Sequence, residues 1–193
     1  MGLGSLIGRF QLRRTESRLR QLAEIGEHFI TGPKTSISLA GASPDQIRIG
    51  NHVTLLEAEL RCYARGRIEI ADYCWFSLRL QLISASSISI GPYCIVARDV
   101  YISDTNEHPT DPLIRREQTL AHLREGIPPD RYAASTSPIV IGADVWIGER
   151  ACILKGVTIG PGSVVAANSV VVADVPAGSI VAGNPGRIVK RLS

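Results

Sequence analysis

The sequence predicts a β-class solenoid in which six-residue units form the sides of triangular coils. Three observations support this prediction: aliphatic residues that recur every six positions, looser copies of the same unit about twenty residues apart, and a low aromatic content. Aromatic residues make up 5% of the 193-residue chain, so we expect a core of small aliphatic side chains stacked repetitively. The length suits one domain.

The strictest repeat lies in the C-terminal part of the chain. A helix returns its apolar face every three or four residues and an isolated strand every two, so a period of six requires a short strand and a turn in each unit. The aliphatic residues at this period are Ile141, Ile147, Ile153, Ile159, Val165 and Val171. The second inward position, where small residues suit a narrow interior, carries Val145, Ala151, Val157, Ser163, Ser169 and Val175.

Looser copies of the unit extend the pattern upstream. They are the segments 47–50 (IRIG), 68–71 (IEIA), 88–91 (ISIG) and 139–142 (IVIG). The first three lie about twenty residues apart, which fits three hexads plus a corner residue or two, so we predict a β-helix over 47–182. The longer last interval predicts a loop ejected at about 103–137, with a weakly helical patch around 117–123. Long excursions from a compact domain are usually functional or disordered.

The two ends of the chain are predicted to cap this coil. Residues 1–46 form an N-terminal helix and capping segment, and residues 183–193 form a short C-terminal cap. Apolar residues at helical spacing predict a helix over 12–25, which we interpret as a cover for the open first coil. The alternative is peripheral contact with a membrane surface through the apolar residues and arginines between Leu6 and Arg14.

Bulk properties narrow the function. The net charge of +3, from 21 basic and 18 acidic residues, is too balanced for nucleic acid as the main partner. No apolar stretch reaches the length of a membrane span, and the opening run lacks the charged start of a signal peptide, so we expect a cytoplasmic protein. The cysteines lack a CxxC pair and are predicted to be reduced core residues; they are Cys62, Cys74, Cys94 and Cys152.

Three motifs in the C-terminal half carry a family resemblance: 138–148 (PIVIGADVWIG), 156–160 (GVTIG) and 182–187 (AGNPGR). In this order they closely resemble the hexapeptide-repeat acyltransferases, and among these the sugar and xenobiotic O-acetyltransferases, which include maltose, galactoside and surface-polysaccharide acetyltransferases. The resemblance covers 47–191. It implies a left-handed parallel β-helix, acetyl-CoA as co-substrate, a sugar or polysaccharide precursor as acceptor, and a homotrimer with active sites between subunits.

The resemblance also implies His108 as the general base. His108 lies in 103–112 (SDTNEHPTDP), where the coil is predicted to end, and an imidazole that titrates near neutral pH can take the proton of an attacking hydroxyl. The sequence leaves open which group holds its second ring nitrogen. The nearby polar candidates are Asp104, Asn106, Glu107 and Asp111, and a backbone carbonyl would also serve. Ser77 aligns approximately where some sugar acetyltransferases place an asparagine.

The implied acetyl-CoA groove runs along the C-terminal coils and needs no metal. Trp146 is expected near the thiol end, and Arg187 and Lys190 are expected at the nucleotide phosphates. The expected lining of the pantetheine arm consists of Gly148, Ala166, Ala167, Val172 and Ala173. Family members often carry Thr-Lys at the position of Val172 and Ala173, so one usual contact is missing.

Other functions remain open at this point. An N-acetyltransferase acting on an amino sugar or nucleotide sugar would use the same base and co-substrate. A hydratase resembling the γ-type carbonic anhydrases needs three histidines that converge on zinc, and the spacing of His52, His108 and His122 does not favour this. A non-catalytic scaffold would have no need of the His108 motif.

Overall fold

The computed structural model describes residues 3–126 and 135–192, with side chains from residue 11 onwards. Within these ranges the strands form three sheets, which are the three sides of a triangular coil. Sheet A contains β1 (Glu24–Ile25), β4 (Ile47–Ile49), β7 (Ile68–Ile70), β10 (Ile88–Ile90), β13 (Ile139–Ile141) and β16 (Thr158–Ile159). Sheet B contains β2 (Ile30–Thr31), β5 (Thr54–Leu55), β8 (Trp75–Phe76), β11 (Ile95–Val96), β14 (Trp146–Ile147), β17 (Val164–Val165), β19 (Ser179–Ala182) and β20 (Arg187–Arg191). Sheet C contains β3 (Ser36–Ala40), β6 (Ala58–Tyr63), β9 (Leu80–Ser84), β12 (Tyr101–Ser103), β15 (Cys152–Leu154) and β18 (Val170–Val171).

Neighbouring coils pair in parallel and in register. In sheet A, Ile47 pairs with Ile68, Ile68 with Ile88, and Ile88 with Ile139, so the looser repeats stack directly on one another. The aliphatic residues of the six-residue repeat are 0–1% exposed, and the small residues at the second inward position are 0–3% exposed. The predicted parallel β-helix is therefore confirmed, with its core inside the coil.

The N-terminal prediction was wrong in two respects. The helix, α1 (Leu3–Leu19), begins and ends earlier than 12–25, and the β-helix begins before residue 47. β1, β2 and β3 form an additional coil that pairs in parallel with β4, β5 and β6. The repeat pattern is weakened in this coil because Ala23 takes the place of the first isoleucine, in the segment 23–26 (AEIG).

α1 packs against the first coil. Leu19 is 0% exposed, Thr15 is also buried, and these two residues lie one turn apart on the face of α1 that meets the coil. The Arg18 guanidinium donates a hydrogen bond to the carbonyl of Thr35 at 3.1 Å. At the other end, β20 pairs antiparallel with β19 and ends the parallel stacking of sheet B.

The ejected loop leaves the coil after Ser103 and returns before Ile139, as the interval between repeats predicted. Its helix, α2 (Pro112–Glu125), is longer than the predicted patch at 117–123. Residues 127–134 of the loop lie outside the described ranges. The two arms of the loop are joined by hydrogen bonds at its base, from the Asn106 N–H to the Ser135 carbonyl at 3.2 Å and from the Ser137 N–H to the Asp104 carbonyl at 3.0 Å.

The cysteines follow the prediction with one exception. Cys62, Cys74 and Cys94 are buried, and none of these three or Cys152 forms a disulfide. Cys152 is only partly buried, because the alternation along β15 places Ile153 inside and Cys152 on the outer face. Burial raises the pKa of Cys62 to about 12, which keeps this thiol protonated and unreactive.

Candidate active site at the base of the ejected loop

Asp104 holds together the corner where sheet C gives way to the loop. Its side chain is 0% exposed and accepts hydrogen bonds from the Ser84 hydroxyl at 2.8 Å, the Ala85 N–H at 2.7 Å and the Ser86 N–H at 2.9 Å. Burial raises the pKa of Asp104, and these hydrogen bonds partly oppose the rise. Both carboxylate oxygens thus bind groups of the previous coil, so Asp104, one of the candidates left open for the second ring nitrogen of His108, is engaged elsewhere.

A tight turn carries the chain from the coil to His108. Glu107 has a positive φ of 59°, its N–H donates to the Thr105 hydroxyl at 3.2 Å, and the His108 N–H donates to the Asn106 carbonyl at 2.6 Å. The His108 side chain is exposed. The turn therefore presents the imidazole beside the loop base, where a substrate can reach it.

The ring of His108 is held by a residue that the sequence analysis did not consider. Nδ1 of His108 lies 3.0 Å from Oε1 of Gln118, which is on α2. One sequence signal pointed towards this contact: Asp111 followed by Pro112 is a typical helix start, and a helix from that point brings residue 118 onto the same side as the first turn. The helical patch predicted at 117–123 starts after Pro112, so the prediction did not include this helix start.

Asp111 and Arg115 fix α2 against the His108 turn. The Asp111 carboxylate caps the helix by accepting from the N–H groups of Leu113 at 2.8 Å and Ile114 at 3.2 Å. The Arg115 guanidinium donates to the carbonyls of Pro109 at 2.8 Å and Thr110 at 3.0 Å. Asp111, another of the candidates left open, therefore caps α2, and the residue that contacts Nδ1 of His108 is Gln118.

A cavity of about 280 Å³ opens beside His108. It lies between the turn, the first residues of α2 and the returning arm of the loop. Its lining consists of Asn106, His108, Pro109, Thr110, Asp111, Ile114 and Ser135. Asn106 thus lines the cavity, which is compatible with its predicted role at the substrate. The lining mixes carbonyl, hydroxyl, amide and carboxylate groups with proline and isoleucine carbons, a combination that can bind a hydroxylated ring.

The outer face of sheet C continues this surface towards the N-terminal coils. Tyr101 is half-buried there, and burial together with the nearby Glu107 carboxylate raises its pKa. Arg61 forms an ion pair with Glu59, and its hydrogen bonds to Tyr63 and Glu59 raise the pKa of the guanidinium further. This face therefore offers aromatic edges and fixed charges close to the His108 turn.

The predicted acetyl-CoA residues lie mostly on another side of the coil. Trp146 is 54% exposed on the outer face of β14 in sheet B, and β20, which carries Arg187 and Lys190, also belongs to sheet B. Ala166 and Ala167 follow β17 of the same sheet. In contrast, Val172 and Ala173 follow β18 of sheet C. Ala166 is half-buried, and the other predicted residues on these strands and corners are exposed.

Gly148 has a structural reason to be glycine. It is buried, and a Cβ at this position would lie 2.6 Å from the backbone nitrogen of Ala167 in the next coil. Such a distance is below any normal contact, so the close approach of the two coils requires glycine.

Ser77 follows β8 in sheet B, where its N–H donates to the Val96 carbonyl at 2.9 Å. Ser77 is therefore not on the side of the coil from which His108 emerges.

Of the remaining histidines, His28 and His52 lie apart from the His108 turn, and His122 lies within α2. His28 and His52 are exposed at the corner between sheets A and B and stack with ring centroids 4.4 Å apart, continuing into Tyr73 at 4.8 Å. His122 is on α2, where its carbonyl accepts from the Gly126 N–H. Within 3–126 and 135–192, no three metal-ligating side chains are grouped to hold a metal ion. No described helix combines the length and the apolar character needed to cross a bilayer.

Comparison with known proteins agrees with this architecture. Residues 138–173 match the family model of the bacterial transferase hexapeptide, six repeats. The structure is similar to a hexapeptide-repeat acetyltransferase from Vibrio cholerae O1 biovar eltor complexed with acetyl coenzyme A, with a TM-score of 0.55, 27% identity and coverage of 98% of this chain and 86% of that one. Residues 138–173 are therefore hexapeptide repeats, and the fold is the left-handed β-helix that the resemblance implied.

Two further similarities concern an O-acetyl transferase and an N-acyltransferase. The chain is 35% identical over 136 residues to a putative lipopolysaccharide biosynthesis O-acetyl transferase of Escherichia coli K12, covering 68% of this chain and 64% of the relative. Its fold also matches the N-acyltransferase AntD from Bacillus cereus, in complex with dTDP and coenzyme A, with a TM-score of 0.71, 20% identity and coverage of 93% and 89%. The predicted resemblance to the hexapeptide-repeat acyltransferases is confirmed, although the chain spans less than two thirds of the E. coli relative.

Proposed function

We propose that this chain is an acetyl-CoA-dependent O-acetyltransferase that acetylates a sugar hydroxyl, with His108 as general base. The observation that supports it most directly is the His108 turn: an exposed imidazole whose Nδ1 is held by Gln118, at the mouth of a cavity lined by both polar and apolar groups. Similarity to the E. coli O-acetyl transferase favours a precursor of a surface polysaccharide as the acceptor.

The reaction needs one proton to move twice. Nε2 of His108 takes the proton of the sugar hydroxyl as its oxygen attacks the thioester carbonyl. The tetrahedral intermediate then collapses, the carbon–sulfur bond breaks, and the imidazolium returns the proton to the leaving thiolate. The products are the acetyl ester and free coenzyme A. The imidazole carries out both proton transfers, and the proposed steps use no metal ion.

We further propose that the protein works as a homotrimer with its active sites between subunits. In one chain, His108 emerges from the side of sheet C, whereas Trp146, Arg187 and Lys190 lie on sheet B. A neighbouring subunit that presents its sheet B to the His108 turn would complete the groove. Light scattering on the purified protein measures the number of chains, and a monomer at assay concentration would contradict this arrangement.

The test of the catalytic proposal is a transfer assay with labelled acetyl-CoA and a panel of sugars, nucleotide sugars and polysaccharide fragments. His108→Ala is expected to keep the fold and oligomeric state and to lower the transfer rate by at least about 100-fold, the scale of general-base catalysis. Near-normal transfer by this variant would refute the mechanism. Absence of both transfer and acetyl-CoA hydrolysis with every acceptor would favour the scaffold alternative.

The competing enzymatic function is N-acetylation of an amino sugar or nucleotide sugar. The same base and co-substrate would serve an amine, so the site geometry does not separate the two. Mild alkali removes an acetyl ester but leaves an acetyl amide intact, and this treatment of the labelled product distinguishes them. An alkali-stable product would replace the first proposal with the second.

Location and membrane contact stay predictions. We propose a cytoplasmic protein whose α1 covers the first coil, since Leu19 and Thr15 are buried there. The exposed arginines of α1, Arg13 and Arg14 among them, favour peripheral attraction to anionic lipid as an additional role. Flotation with vesicles of neutral or anionic lipid tests that role, and equal recovery with both would exclude it.

A further inference from the structure

We propose that Gln118 is a positioning residue that holds His108 in the tautomer and orientation needed for a general base. The inference rests on the proposed function, because a positioning role has meaning only if His108 takes the proton. Its starting observation is the 3.0 Å contact between Nδ1 of His108 and Oε1 of Gln118. When the carboxamide oxygen accepts from the Nδ1–H, Nε2 is left unprotonated and able to accept the proton of a hydroxyl.

Two carboxylates that lie near His108 in sequence are engaged with other groups. Asp104, the nearest buried carboxylate in sequence, is directed into the coil and bound to Ser84, Ala85 and Ser86. The Asp111 carboxylate accepts from the first N–H groups of α2. Among the groups that the sequence suggested for the second ring nitrogen, these two are therefore already engaged elsewhere.

Gln118 is held in place by the same helix that is tied to the His108 turn. Arg115 joins the first turn of α2 to the carbonyls of Pro109 and Thr110, directly after His108. Residue 118 lies about one turn further along α2 than Arg115, on the neighbouring helical position of the same face. The hydrogen bonds of Arg115 thus help to fix the distance between the imidazole and the carboxamide.

A neutral carboxamide differs from the carboxylate of a catalytic triad in one useful way. A carboxylate stabilises the imidazolium by its charge, whereas a carboxamide orients the ring with a weaker preference for the protonated form. Other charges in the same turn are those of Glu107, Asp111 and Arg115. These three are common to all the variants compared below, so a difference between variants reports on residue 118.

The experiment compares kcat and KM as functions of pH for the wild type, Gln118→Ala and Gln118→Glu, with Glu117→Ala as the matched control on the same helix. Gln118→Ala is expected to lower kcat between about 10- and 100-fold, the effect of a misoriented group, without raising the KM for acetyl-CoA. Gln118→Glu keeps an acceptor and is expected to restore most of kcat, with the rising limb of kcat/KM displaced to higher pH because the new carboxylate favours the imidazolium. Glu117→Ala is expected to behave as the wild type.

A second readout needs no acceptor sugar. In protein labelled with ¹⁵N-histidine, long-range proton–nitrogen spectra distinguish the two neutral tautomers, and the His108 signals are identified by their loss in His108→Ala. We expect the Nδ1–H form in the wild type and a mixture of both forms in Gln118→Ala. Far-UV circular dichroism confirms that each variant is folded.

The outcomes separate this inference from the proposed function. If His108→Ala is inactive while Gln118→Ala keeps wild-type kcat, pH profile and tautomer, only the positioning role is overturned. If His108→Ala retains normal transfer, the proposed function itself fails. If Gln118→Ala loses kcat but Gln118→Glu recovers nothing and shows an unchanged pH profile, the contact is structural and the positioning role is likewise overturned.

Discussion

Replacing Asp104 by alanine tests whether a buried carboxylate fixes the loop base. In Asp104→Ala, the N–H groups of Ala85 and Ser86 lose their acceptors at 2.7 and 2.9 Å, while the Ser84 hydroxyl keeps a bond to the Arg67 carbonyl at 2.9 Å. A buried donor left without a partner costs about 1–3 kcal/mol. Since both amides are only partly buried and the cost of burying the carboxylate is relieved, we expect the free energy of unfolding to fall by about 2–4 kcal/mol.

Asp72 provides the matched control. Its carboxylate also joins two coils, by accepting from the Asn51 N–H at 2.7 Å, but at a solvent-exposed corner where water can replace it. We expect Asp72→Ala to cost about 1 kcal/mol or less. Urea unfolding followed by circular dichroism, at one protein concentration because assembly contributes to stability, measures both. Equal losses in the two variants, or an unchanged midpoint for Asp104→Ala, would refute the reasoning.

The same pair of proteins tests the pKa of Asp104. Burial raises this pKa above the ordinary value of 3.8, so the folded state binds the proton more tightly than the unfolded state does. The stability that Asp104 contributes is therefore complete below pH 3.8 and partly lost as the pH rises through its folded-state pKa. The difference in unfolding free energy between the wild type and Asp104→Ala should narrow over that rise. A difference that widens with pH would show that the pKa is lowered instead.

Two further predictions concern the groove and its assembly. Replacing Arg187 and Lys190 together by alanine should raise the KM for acetyl-CoA about tenfold, the scale of losing charge-assisted phosphate contacts, with kcat little changed. Arg65→Ala serves as the control at an exposed arginine. An unchanged KM in the double variant would place the phosphates elsewhere. Co-expression of this double variant with His108→Ala should give more activity at low acetyl-CoA than either protein alone, because mixed trimers contain intact sites only when His108 and the groove come from different chains. Activity no higher than that of the double variant would place each site within one chain.

The coil was predictable because its physical constraint is repeated. Each unit must put an aliphatic side chain inside and turn a corner, so the six-residue period is visible from Ile141 to Val171 without any knowledge of the structure. The first coil was missed because one substitution, Ala23, removes the isoleucine that marks the unit, and the neighbouring leucines fit a helix equally well. The predicted start of the β-helix depended on a single repeat at this end of the chain, so the loss of one isoleucine was enough to move it.

The site was less predictable because proximity in sequence is a poor guide to direction. Asp104 lies four residues before His108, yet it is 0% exposed, as is Ile102 two positions earlier in the alternation of β12. Applied to the end of β12, the period of two would have pointed Asp104 into the coil. Gln118 is different, since its contact with His108 depends on a turn with positive φ at Glu107 and on the helix cap at Asp111. No residue pattern in 106–118 specifies how that turn and that helix meet.

The distribution of the predicted residues over the sheets links these proposals. A coil with three sides can present only one side to a given neighbour, and His108 leaves the side of sheet C while Trp146 and β20 lie on sheet B. In the proposed homotrimer, sheet B of one subunit would face the His108 turn of the next across a three-fold axis, which would bring the general base and the groove together. In that arrangement the base must be oriented from within its own chain before the partner arrives. The contact from Gln118, formed entirely within the segment that also holds His108, meets this requirement.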